Sequence, residues 1–130
     1  MGLDNGFILK TKNAVTVPSF VALFDYDFKD DEYEVVYWRK CWGLRGAVLD
    51  TLHVAEDGQY HIPVESDDIP ALIRAIKPFF SKEYWERNGN SIWEFDEFFD
   101  NLVQTVLNLS WLQTYLDEHP DASCYFYDSY

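Results

Sequence analysis

Across residues 95–116 the apolar side chains Phe95, Phe98, Phe99, Leu102, Val106, Leu109, Leu112 and Leu116 recur every three or four positions. That spacing stacks side chains on one side of an α-helix. It predicts a long helix near 92–118, opened by Ser91 and ended before Pro120, since Ser satisfies free N–H groups at a helix start and Pro cannot continue one. Glu97, Asn101, Gln104 and Asn108 fall between the apolar positions and are expected to face water. A helix with so broad a stripe needs a second layer to bury it, and that requirement narrows the architecture more than any other feature.

The rest of the chain supplies that layer. Residues 7–11, 34–38, 59–64 and 124–127 are rich in aromatic and β-branched side chains and read as short strands. Cys41, Leu44, Val48 and Leu52 recur at helical spacing and predict a helix ending near His53. Ser66-Asp67-Asp68 starts another, carried by Leu72, Ile73, Ile76 and Phe79, with Pro70 tolerable in its first turn. Residues 81–87 add a further helical turn, while Gly2-Leu3-Asp4-Asn5-Gly6 has the chemistry of a turn. Strands and helices mix without strict alternation, which predicts an α+β fold: a small, largely antiparallel sheet with helices packed on one face.

With 130 residues, 48% of them apolar and 18% aromatic, residues 1–130 are expected to form a single domain rather than a disordered chain. The formal net charge is −13, and its placement is uneven. The last of the ten cations is Arg87, and residues 88–130 hold eight carboxylates and no Lys or Arg. Such a surface repels phosphate backbones and anionic lipid, so no direct nucleic-acid binding and no membrane association are expected. No apolar run approaches the ~20 residues that span a bilayer. Met1 is not followed by a basic segment and a long apolar run, and Gly6 stands where a myristoylation motif has Ser or Thr. A reducing cytoplasm is the expected setting, with Cys41 and Cys124 as free, apolar residues.

Candidate catalytic and metal constellations fall short one by one. The acidic run at residues 25–31 suggests a calcium loop, but Asp30 and Val36 occupy the positions that require Gly and Glu. His53, His61 and His119 lack the converging ligands that zinc needs. Cys41 and His53 share a predicted helix but lie about 18 Å apart along it, too far for proton transfer. There is no Gly-rich phosphate loop, nucleophile elbow or dinucleotide fingerprint. No catalytic residue, metal site or cofactor is therefore nominated.

One segment breaks local rules. Tyr33-Glu34-Val35-Val36-Tyr37-Trp38-Arg39-Lys40-Cys41-Trp42 combines four aromatics with a cationic pair, placed where a helix N-terminus disfavours positive charge. Arg39 is expected to be buried and paired with a carboxylate, the acidic residues 25–34 being the candidate acceptors. The rival reading makes Trp38, Arg39, Lys40 and Trp42 a binding site, either as a platform for single-stranded nucleic acid or as part of a small-molecule enzyme site.

The same segment carries a resemblance. Met1-Gly2-Leu3-Asp4 at the start, Tyr37-Trp38-Arg39-Lys40 in the middle and Tyr125-Phe126-Tyr127-Asp128-Ser129-Tyr130 at the end resemble the pattern of a family of small, uncharacterised phage and prophage proteins. The chain departs from that pattern at Cys41-Trp42, where Ala-Asn is expected, and at Tyr130, where the family has Trp. The resemblance implies a mobile-element origin and a bacterial cytoplasm, and lends no activity. The expected function is a non-enzymatic protein–protein interaction module binding a host protein through an acidic or aromatic surface. Glu97 and Asp100 on the long helix are candidate contacts, and mimicry of nucleic acid is a sharper version of the same idea.

Overall fold

The computed structural model describes residues 4–13, 15, 31–39, 41–54, 61–88 and 94–129, with the backbone alone at 4, 39 and 129. Four strands, β1 (Asp4–Lys10), β2 (Glu32–Arg39), β3 (His61–Val64) and β4 (Ser123–Ser129), form one antiparallel sheet in the order β2-β1-β4-β3. The helices are α1 (Trp42–Thr51), α2 (Ile69–Ile76), α3 (Lys82–Asn88) and the long α4 (Phe95–Glu118), with 3-10 turns at Ser66–Asp68 and Lys77–Phe80. This is the expected α+β architecture.

Strand register explains which residues meet. Asn5, Phe7 and Leu9 of β1 lie opposite Asp128, Phe126 and Cys124 of β4, and Asn5 and Phe7 also face Trp38 and Val36 of β2. These positions share one face of the sheet by the two-residue period of a strand. Phe7, Trp38 and Phe126 lie in mutual ring contact at 5.2 to 6.5 Å, and Leu44, Val48, Leu72, Ile76, Leu102, Leu109 and Leu112 close over them from α1, α2 and α4. On the second face Ile8, Glu34, Tyr37 and Tyr127 are also buried.

Two local differences from expectation have clear causes. The Asn5-Gly6 pair sits inside β1 and not in a turn. A β-carbon at Gly6 would collide with the Val36 carbonyl oxygen, so the strands approach there as only glycine permits. The register then slips between Phe7 and Ile8, opposite Val36 and Glu34, leaving Val35 as an extra residue of β2. At the other end of α1, His53 takes a left-handed backbone (φ 59°) and ends the helix where the spacing predicts.

The long helix starts later than Ser91 suggests, and Ser91 itself lies outside the described residues. Asp96 and Glu97 occupy its first turn, where negative charge favours the helix dipole. At its end the His119 ring stacks on Tyr115, centroids 4.0 Å apart.

Candidate interaction surface on the long helix

The expected binding residues do not form one site. Trp38 is fully buried, and its indole N–H donates to the Thr105 hydroxyl at 3.1 Å. It is a core side chain held against α4, with no face free for stacking a base. Arg39 ends β2 opposite Asp4, but its side chain, Lys40 and residues 25–30 lie outside the described residues. Trp42, in contrast, opens α1 and is 45% exposed. Glu97 and Asp100 are exposed on α4.

A buried cation–carboxylate pair does exist, at a different arginine. Arg45 of α1 meets Asp128 of β4 through two bonds, Nε to Oδ1 and Nη2 to Oδ2, each 2.9 Å. Both side chains are almost wholly enclosed. Asn5 adds an N–H donated to Asp128 Oδ1 at 2.6 Å, and the Arg45 guanidinium carbon lies 5.5 Å from the Trp42 ring centre. The planar guanidinium and the planar carboxylate satisfy each other edge to edge, the arrangement that makes burial of both charges tolerable. Eighty-three residues separate the partners, so no local pattern links them. This group ties α1 to the last strand and offers no reactive centre. Cys124, another buried candidate nucleophile, is pushed well above the ordinary thiol range by burial, which suppresses its thiolate.

The long helix departs most from expectation. Its amide side does not face water. Asn108 is buried and donates Nδ2–H to the Val35 carbonyl at 2.8 Å; Asn101 donates to the Tyr37 carbonyl at 3.3 Å. The close approach of the Val36 carbonyl to Gly6 directs that oxygen toward β1 and turns the flanking carbonyls away from it. β2 is an edge strand of the sheet, and buried carbonyls without donors are costly. Asn101 and Asn108 therefore finish the hydrogen bonding of a strand that has no neighbouring strand on that side among the described residues. Gln104 supports Asn108 at 2.9 Å, and the Thr105 hydroxyl bonds Asn101 at 3.3 Å.

Apolar residues take the outward side instead. Phe99, Val103 and Leu107 follow one another a turn apart and are 37%, 38% and 57% exposed. Trp111 continues the row, half-buried against Tyr115. At the start of the row Phe99 contacts Phe80 edge-on at 5.3 Å and Phe95 at 5.7 Å. Beside it, a cleft of about 280 Å³ opens between α3 and α4, walled by Lys82, Trp85, Glu86, Glu94, Phe95 and Asp96. Its floor is firm, because Trp85 stacks flat on Phe98 with centroids 3.7 Å apart. Asp96, Asp100, Asp117 and Glu118 are exposed near the two ends of the row, and α4 carries no Lys or Arg.

The stripe of Phe95, Phe98, Phe99, Leu102 and Val106 was readable in the sequence. Val103 and Leu107 were the missed signal: they lie between its members and make the helix apolar on a second side. No helix among the described residues is long and apolar enough to cross a membrane. No protein-family model, no curated protein and no solved structure matches the chain.

Proposed function

We propose that the chain is a non-enzymatic interaction module of phage or prophage type, acting in the bacterial cytoplasm by binding a host protein on the outward side of α4. The observation that carries this reading is the exposed row Phe99, Val103 and Leu107 on a helix that spends its amides inside. A solvent-facing helix side gains nothing from three large apolar residues in line unless something covers them. The phage origin rests on the motifs at residues 1–4, 37–40 and 125–130. A row of apolar side chains between carboxylates fits a protein-docking surface better than nucleic-acid mimicry, which calls for carboxylates throughout.

The test compares host proteins retained by the parent, by Leu107→Ser and by the pair Glu97→Gln with Asp100→Asn, at low and high salt. Both variants are expected to retain less of the same partner, the charge pair showing the weaker salt dependence. Equal retention by all three under both conditions overturns the reading.

A further inference from the structure

The ends of the α4 row define what can lie on it. Asp96 and Asp100 flank its start, Asp117 and Glu118 its finish, and Asp100 and Asp117 stand about 25 Å apart along the axis at ~1.5 Å per residue. A second copy of this chain is a poor occupant. Antiparallel pairing of two α4 helices sets Asp96 and Asp100 against Asp117 and Glu118. Parallel pairing sets each cluster against itself, and both copies carry −13. Like charges brought together at the rim of a contact oppose it. A straight row at four-residue spacing instead matches the ridge that one helix offers to another.

The cleft beside Phe99 sharpens the match. Three carboxylates, Glu86, Glu94 and Asp96, surround it against the single cation Lys82, and Trp85 and Phe95 supply aromatic walls. Carboxylates above aromatic faces favour a guanidinium or ammonium group over any neutral or anionic one. The cleft adjoins the first residue of the row, because Phe95 contacts Phe99.

Resting on the reading of the chain as an interaction module, we propose that α4 docks an amphipathic helix of a partner protein. The partner's apolar residues lie on Phe99, Val103 and Leu107, one lysine or arginine enters the cleft between α3 and α4, and further cations meet Asp117 and Glu118. The apolar row supplies retention, and the acidic ends supply encounter and direction.

The probe is a labelled peptide of about 24 residues, long enough as a helix to cover the row and both ends. It carries leucines at four-residue spacing and lysines at each terminus; its control has the same composition, scrambled so that the leucines share no face. Fluorescence anisotropy should show the ordered peptide binding about tenfold tighter than the control, as expected for burial of a leucine-sized contact. Leu107→Ser should remove that advantage, and Asp96→Asn should flatten its salt dependence. Equal affinity for the two peptides overturns the proposal. A photo-crosslinking residue at position 107 of the full chain in bacterial cells separates the remaining outcomes. An adduct mapped to a basic amphipathic helix supports the proposal. An adduct with a second copy, or with a segment of other chemistry, overturns this partner class and leaves the interaction module standing. No adduct overturns both. Leu107 is largely exposed, so these variants fold, which circular dichroism verifies.

Discussion

Each side of α4 carries residues of the less usual kind, polar ones within the apolar inner stripe and apolar ones on the water-facing side, and for different reasons. Inside, Thr105 and Asn108 are buried and Asn101 is half-buried, each hydrogen-bonded to β2 or to one another. Outside, Phe99, Val103 and Leu107 meet water. The inner side shows that a buried polar residue is placed by its partner: β2 is an edge strand whose carbonyls need donors, and the helix amides provide them. They also block that edge from pairing with another chain, a hazard that edge strands carry. The outer side answers no such need among the described residues, which is the ground for the proposed docking surface. On the proposed reading, inner polarity serves folding and outer apolarity serves binding, and the two should respond to substitution in opposite ways.

The strongest test of the inner half lies where polarity is most deeply enclosed. Asp128→Ala removes the carboxylate that holds Arg45 through two bonds and takes this counter-charge from a buried guanidinium. Stranding one member of a buried pair typically costs about 3–5 kcal/mol, so a marked fall in the urea midpoint is expected. Replacing both partners, Arg45→Met with Asp128→Leu, should restore much of that loss, since the penalty belongs to the stranded charge. A double variant as unstable as the single one would show that the pair contributes specific geometry which apolar packing cannot replace.

Asn108→Ala is the intermediate case. It takes the Asn108 donor from the Val35 carbonyl and one acceptor from Gln104. An unsatisfied buried group costs about 1–3 kcal/mol, against which Ala returns a few tenths through its helix propensity. Urea unfolding should therefore show a clear net loss. No loss would mean that the edge-strand carbonyl finds water readily, and that the inner amides are not needed for folding.

Sequence patterning foretold the element order, the sheet's antiparallel character and the length of α4, because those depend on local period and on punctuation by Gly and Pro. What it missed depends on residues far apart in the chain. Asn5-Gly6 reads as a turn by composition; in the sheet, Gly6 admits the Val36 carbonyl and Asn5 bonds Asp128 across 123 residues. Arg45 carries no sequence pattern that marks it out, and Asp128 reads as part of a terminal aromatic motif. Their pairing is visible only once α1 lies over β4. By polarity alone Asn101 and Asn108 belong to the water-facing side, whereas the edge position of β2 decides their fate. Trp38 was legible as a strand residue, but which side of that strand α4 would cover was not. Of the proposed contacts, Trp42, Glu97 and Asp100 are exposed as a binding role requires, and the cleft beside Phe95 joins two helices that no sequence spacing connects.

The smallest expected effect is the most discriminating. Leu107 is the immediate neighbour of Asn108 on the same helix, so Leu107→Ala shares its backbone setting and its replacement residue with Asn108→Ala. Helix propensity changes little, since Leu and Ala are both strong formers. The difference between the two variants then isolates what each side chain touches. Leu107 is 57% exposed and takes little apolar area out of water in the isolated chain, so the stability change should stay within about 0.5 kcal/mol. Partner retention should fall all the same, because the area it buries is buried on binding. Asn108→Ala should do the reverse, lowering stability while binding per folded molecule is preserved. Should Leu107→Ala destabilise as strongly as its neighbour, the outer row is already covered within the chain. The contrast between the two sides of α4 would then fail, and with it the reason for seeking a partner there.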